Sequence, residues 1–189
     1  MYLDEWSKYS DNSLSPIGLC NLVEFEYQAE IRASCTNIGR YLSSHPAIKE
    51  LSLSVSELMQ LIFSRLEDEL THLFLKESGI VFPCIKKKYH GSDKSTIQYI
   101  DPKVFENVYN THQLIIDLTQ KIHHLMNNYS IKPGWSKEWK NCVNEMSLLE
   151  NKILFCIQVE EELLYPKVTG ITGNKLSFYT GNKFPYYLN

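Results

Sequence analysis

A chain of 189 residues with 43% hydrophobic and 22% charged residues is long enough to bury a core of its own and too apolar for a disordered segment. Its formal net charge of -3 offers no basic surface for nucleic acid, and no run approaches the roughly 18 apolar residues of a membrane span. The opening Met1-Tyr2-Leu3-Asp4-Glu5-Trp6 has neither the basic nor the apolar region of a signal peptide, and Cys20, Cys35, Cys84, Cys142 and Cys156 form no C-x-x-C pair, so reduced thiols in a cytoplasmic, single-domain protein (1–189) are expected.

Four segments carry helical periodicity. The first runs from about Ser15 to Leu42 on Leu19, Leu22, Val23, Tyr27, Ile31, Ile38 and Leu42, and stops at Ser43-Ser44-His45-Pro46, where the residue before proline leaves the α region. The second, from about Ser52 to Gly79, places Val55, Met59, Ile62, Leu66, Leu70, Leu73 and Glu77 on one stripe. Phe82-Pro83 is read as its end, and Lys86-Lys87-Lys88 with Gly91-Ser92-Asp93 as a solvated loop.

The third helix is expected from about Pro102, a first-turn residue behind Asp101, to Asn128, on Val104, Val108, His112, Ile115, Thr119, Ile122 and Met126. The fourth follows Pro133-Gly134-Trp135, with Ser136 as candidate N-cap. It runs through Trp139, Val143, Met146, Leu149, Ile153, Cys156, Glu160 and Leu163 to about Tyr165, before Pro166. Residues 167–189, with Gly170, Gly173, Gly181 and Phe184-Pro185-Tyr186-Tyr187, read as an irregular tail. The expected fold is all-α, an up-and-down antiparallel four-helix bundle.

Three stripes contain an ionisable residue where packing alone favours leucine: Glu77, His112 and Glu160. Glu77 and Glu160 lie near C-terminal ends and His112 near an N-terminal end, so antiparallel packing brings them to one height, with Glu26 of the first helix level with them. Burying carboxylates costs several kcal/mol unless a metal, a shared proton or a cation compensates. Carboxylates and imidazoles projected inward from separate helices are how bundles hold iron or manganese. A solvated acidic face at Val159-Glu160-Glu161-Glu162, and a core histidine at His112, are the alternatives. His123 and His124 are read as mostly surface.

Glu69-Leu70-Thr71-His72-Leu73-Phe74-Leu75-Lys76-Glu77 followed by Phe82-Pro83, Thr111-His112-Gln113, and Cys156 through Glu160 to Tyr165-Pro166 together resemble the hemerythrin-like proteins of the iron-sulfur-cluster repair type (the repair of iron centres family), over roughly Leu19 to Val168. The resemblance implies a hemerythrin-like bundle around a non-haem di-iron centre. In it Glu77 and Glu160 stand at the two bridging carboxylates and His112 at the third-helix histidine. The chain departs from the pattern elsewhere: Leu73 and Cys156 stand where the family has a histidine four residues before each glutamate. Glu26-Tyr27 replaces a His-His pair, Tyr41 replaces a further histidine, and the family's cysteine-bearing N-terminal segment has no counterpart. The ligand set that survives is Glu77, His112, Glu160, Glu26 and Cys156.

Two readings follow. One is a divergent hemerythrin-like protein holding iron or another divalent metal in an altered site, related to iron-sulfur cluster repair or to iron and nitrosative stress. The other is a metal-free helical interaction or regulatory module, in which His112 pairs with a glutamate, Arg65 or Lys76 neutralises the rest, and Cys156 is a small core residue. The expected partners are a metal ion, a protein in the second reading and a second copy if the chain dimerises, with neither nucleic acid nor membrane. No Gly-x-Ser-x-Gly, P-loop or Gly-x-Gly-x-x-Gly pattern points to an enzyme.

Overall fold

The structure, a computed structural model, describes residues 14–44, 50–90 and 101–169. These form four helical rods, with no strand among the described residues. The first rod opens where Ser15 accepts a hydrogen bond from the Gly18 amide at 3.1 Å, with Pro16 in the first turn, where a missing N–H costs nothing. Helix α1 (Pro16–Leu22) passes through a π-helical turn (Val23–Tyr27) into α2 (Gln28–Ser44). The second rod is α3 (Leu53–Lys76), a π turn (Glu77–Val81) and α4 (Phe82–His90). The third is α5 (Pro102–Leu125), capped by the Asp101 carboxylate on the Lys103 amide at 2.9 Å.

The fourth rod joins α6 (Lys137–Gln158), a π turn (Val159–Leu164) and α7 (Tyr165–Thr169). Ser136 caps it, its hydroxyl accepting from the Trp139 amide at 3.2 Å. Ser136→Ala is expected to cost about 1 kcal/mol in urea unfolding; no loss would show that the cap is solvated instead.

Contacts between rods fix their directions. Gln60, near the start of the second rod, donates to the Leu42 carbonyl at the end of the first, at 2.8 Å. Tyr41 stacks on Trp139, at the start of the fourth rod, with centroids 5.8 Å apart. Tyr165 and Glu77, near the ends of the fourth and second rods, meet at the opposite pole. Neighbouring rods are therefore antiparallel, and the stripes close on one core in which Leu19, Ile31, Ile38, Met59, Leu66, Leu73, Ile115 and Trp139 are fully buried. The exposed faces carry no helix long and apolar enough to cross a membrane among the described residues.

Several expected boundaries move for a common reason. Phe82-Pro83 and Tyr165-Pro166 do not end their rods. In each case the residue before proline donates its N–H five residues back, Phe82 to the Glu77 carbonyl and Tyr165 to the Glu160 carbonyl. The π turn already skips one rung of the ladder, so proline, which lacks a donor and crowds the carbonyl four residues behind it, follows without breaking the rod. The spacing Glu-x-x-x-x-aromatic-Pro thus occurs once in each of two rods, from Glu77 and from Glu160.

Lys86, Lys87 and Lys88 consequently lie in α4 rather than in a loop. Lys86 reaches the Glu24 carboxylate at 2.7 Å, and Lys88 donates to the Val168 carbonyl at 2.8 Å. The third rod stops at Leu125, short of Asn128, because Asn127, Asn128 and Tyr129 turn left-handed with φ of 49°, 56° and 56°. Residues Lys167–Thr169 of the expected tail are helical; His45-Pro46, Gly91-Ser92-Asp93 and the tail from Gly170 onward lie outside the described residues.

Candidate metal centre

Glu77 is the first residue of the π turn in the second rod and is completely buried. Glu160 and Glu161 both lie within the π turn of the fourth rod, at 1% and 6% exposure. His112 stands in the first half of α5 and is also fully buried. Donor atoms of Glu77, His112 and Glu160 all lie within 4.8 Å of one another. The levels read from the four periodic stripes therefore converge for these three residues.

The details decide what the cluster can do. His112 Nε2 is 3.1 Å from Glu160 Oε2 and 3.8 Å from Glu77 Oε1. On the other side of the ring, His112 Nδ1 is 2.9 Å from Glu161 Oε1. The second oxygen of Glu77 accepts from Gln28 Nε2 at 2.9 Å, while its Oε1 accepts from the Tyr165 hydroxyl at 2.9 Å. Glu160 Oε1 has the Cys156 thiol as a weak donor at 3.9 Å. His112 Nε2 and Glu160 Oε2 are close, yet neither is aligned for a hydrogen bond, and both are buried atoms without a hydrogen-bonding partner. Gln28 Oε1 is a third such atom. Tyr165 lies over the imidazole at 6.3 Å with planes 15° apart, and Tyr109 meets it edge-on at 6.2 Å.

Burial, then the neighbouring Glu77 charge, pushes the Glu160 carboxyl up to about 8 from 4.5. Burial alone would lower His112, but the carboxylates of Glu160, Glu161 and Glu77 outweigh it and hold the imidazole well above 6.5. Burial first, then Glu160 and Glu77, keeps the Cys156 thiol far above its ordinary range, and burial likewise pushes Cys20 up to about 12. All five cysteines are free.

Of the five expected ligands, three meet. Glu26 does not, because its side chain is exposed, and the first rod presents Gln28 in its place. Cys156 is at the edge, a protonated thiol against Glu160 that does not join the three-residue donor set. Tyr41 belongs to the other pole, beside Trp139 and a surface groove of about 310 Å³ that Cys142 and Glu145 help to line. Arg65 is occupied by Glu69 at 2.5 Å on the surface of α3 and does not neutralise the centre. His123, read as surface, is partly buried and pairs with the buried Glu150 at 2.9 Å.

Gln28, Glu161 and Tyr165 are the site residues that periodicity missed. A recognisable sign was present only for Tyr165, the hydroxyl-bearing counterpart of Phe82 in the repeated aromatic-proline spacing. No protein-family model matches the chain, and a search of curated proteins returns no match.

Proposed function

We propose that the chain is a metal-binding four-helix bundle whose centre holds one divalent ion, iron(II) or manganese(II), between Glu77 Oε1, His112 Nε2 and Glu160 Oε2. The observation that carries this reading is the convergence of three buried donor atoms, His112 Nε2, Glu160 Oε2 and Glu77 Oε1, within 4.8 Å of one another, the first two lying 3.1 Å apart without an aligned hydrogen bond. Ligand bonds of about 2.0–2.2 Å put neighbouring donors roughly 3.0–3.4 Å apart in octahedral or tetrahedral sets; the separation of 3.1 Å falls in that range, and that of 3.8 Å exceeds it by a few tenths of an ångström, which Glu77 closes on binding. Two carboxylates with one imidazole suit iron(II) and manganese(II) better than soft copper(I).

One ion, rather than two, fits the way the outer oxygens are occupied. Glu77 Oε2 is taken by Gln28, Glu160 Oε1 faces the Cys156 thiol, and Glu161 is committed to His112 Nδ1. A carboxylate that bridges two metals with one oxygen on each uses both of its oxygens, and here the outer ones already have partners. The resemblance to the hemerythrin-like repair proteins supports a bundle with two inward glutamates and a histidine, and with it a role in iron handling or repair of iron centres. Leu73, fully buried and apolar at a family ligand position, supports a centre reduced from two metals to one. Since Glu77, His112 and Glu160 are at most 1% exposed, the site admits an ion and leaves no room for an organic substrate, which favours storage or sensing over turnover.

Protein loaded anaerobically with iron(II), or with manganese(II), is expected to retain one ion per chain by plasma mass spectrometry. Glu77→Gln and Glu160→Gln are each expected to weaken binding at least tenfold while the chain stays folded. If the parent chain retains no ion after desalting, the centre is a metal-free, proton-sharing cluster within an interaction module.

A further inference from the structure

The side chain that the triad itself does not use is Glu161. We propose that Glu161 sets the oxidation state of the centre, holding His112 as an Nε2 donor and biasing the bound metal toward its trivalent form; this rests on the triad being a metal centre.

Two observations lead to it. The first is orientation. Glu161 Oε1 meets His112 Nδ1 at 2.9 Å, on the side of the ring away from Glu77 and Glu160. A metal-ligating imidazole whose second nitrogen donates to a carboxylate is fixed in one tautomer and made more basic. Here the Nδ1–H goes to Glu161 and the lone pair of Nε2 faces the triad. The π turn makes this possible, because it carries the consecutive residues Glu160 and Glu161 against two different edges of one ring.

The second is charge. With a metal ion in place of their protons and a neutral His112, the carboxylates of Glu77, Glu160 and Glu161 would bring three negative charges into a buried space. Among the described residues no lysine or arginine forms an ion pair with any of them. A divalent ion leaves one negative charge uncompensated there, and a trivalent ion leaves none. Uncompensated charge in a low-dielectric interior is costly, so the site discriminates between the two valences. The neutral donors Gln28 and Tyr165 both fall on Glu77, and among the described residues His112 is the one hydrogen-bonding partner of Glu161. Glu161 therefore acts through the imidazole as a positioning residue, transferring electron density to Nε2.

The test is a mediated potentiometric titration of the iron-loaded full chain, after its iron content has been measured. Glu161→Gln keeps an acceptor oxygen for the Nδ1–H and removes only the charge. It is expected to weaken iron(III) relative to iron(II) at least tenfold, a rise of about 59 mV or more for one electron, with iron(II) affinity changing by less. Glu162→Gln removes an equal charge from the adjacent, exposed residue, which contacts Gln158 and not the ring, and is expected to leave the potential near that of the parent. If Glu161→Gln does not fold, Glu161→Asp, which withdraws the carboxylate from Nδ1 by one methylene, is expected to raise the potential by a smaller amount. A parent that binds iron while its Glu161 variants share its potential overturns the role of Glu161 and leaves the centre standing. A parent that binds no iron overturns the centre itself.

Discussion

Replacing His112 by leucine is expected to cost the metal-free protein about 3–5 kcal/mol, among the largest single-residue losses the bundle offers. The imidazole is held protonated by Glu160, Glu161 and Glu77, and it is the only cation in contact with them among the described residues. Leucine fills much of the same volume, so the loss is not mainly a cavity. It comes from two or more carboxylates left in a dry interior where, among the described residues, Gln28, Tyr165 and Cys156 are the donors that remain. The measurement is urea unfolding in chelator at neutral pH. The sign of an electrostatic origin is that His112→Leu recovers at pH 5, where the carboxyls take up protons, and that adding Glu77→Gln and Glu161→Gln restores much of the stability. A loss below about 1 kcal/mol, or one that does not shrink on acidification, would mean that the carboxylates are hydrated and the cluster is not a dry centre.

That dependence on one histidine is also why the centre could be partly read from the chain. Helical spacing at about 100° per residue suffices for His112, because α5 is regular from Pro102 to Leu125 and Val108, Ile115 and Ile122 keep its stripe inward. It also suffices for Glu77, which is reached through the unbroken α3 stripe from Met59 to Leu73 and lies at the first residue of its π turn. Glu160 is one residue further into its own π turn and still falls on the stripe. Beyond these points the register slips. Each π turn adds a residue, so Leu164 rather than Leu163 faces fully inward, Glu161 is buried instead of solvated, and Gln28 points to the core while Glu26 is exposed.

Nothing in the composition of Val23-Glu24-Phe25-Glu26-Tyr27 or Val159-Glu160-Glu161-Glu162-Leu163-Leu164 announces a π turn; glutamate, leucine and valine sit in ordinary helices as readily. The wide turns are held by what they bury. All-α architecture and the caps at Asp101 and Ser136 are legible from local signals, and antiparallel pairing follows from the expected bundle topology. The pairing of His112 Nδ1 with Glu161, and the Gln28 and Tyr165 donors on Glu77, depend on a tertiary register that a constant period cannot supply.

The same buried charges make the metal-free protein sensitive to alkali rather than acid across the middle of the pH range. Glu160 titrates at about 8 in the folded chain against 4.5 when unfolded, and His112 is held well above 6.5. In both cases the folded chain binds its proton more tightly than the unfolded chain does. Their stabilising contribution is thus complete below the unfolded values, about pH 4.5 for the carboxyl and 6.5 for the imidazole. It is lost as the pH rises through the folded ones. The two groups touch and titrate as a unit, so the loss is shared between them.

Between pH 5 and 8 the metal-free chain is expected to lose stability on the order of a few kcal/mol. The range stops there because the buried thiols, Cys20, Cys35 and Cys142 at about 12, add a loss of the same sign once unfolded cysteine ionises near 9. Saturating manganese(II) reverses the trend, since the ion binds the deprotonated ligands and competes with protons for them. Its stabilising effect is expected to be small at pH 5 and largest at pH 8. Urea midpoints at three pH values, with chelator and with metal, measure both halves. A flat profile in chelator sinks the coupled-proton account of Glu160 and His112, and a metal effect that does not grow with pH shows that the ion binds somewhere other than these buried groups.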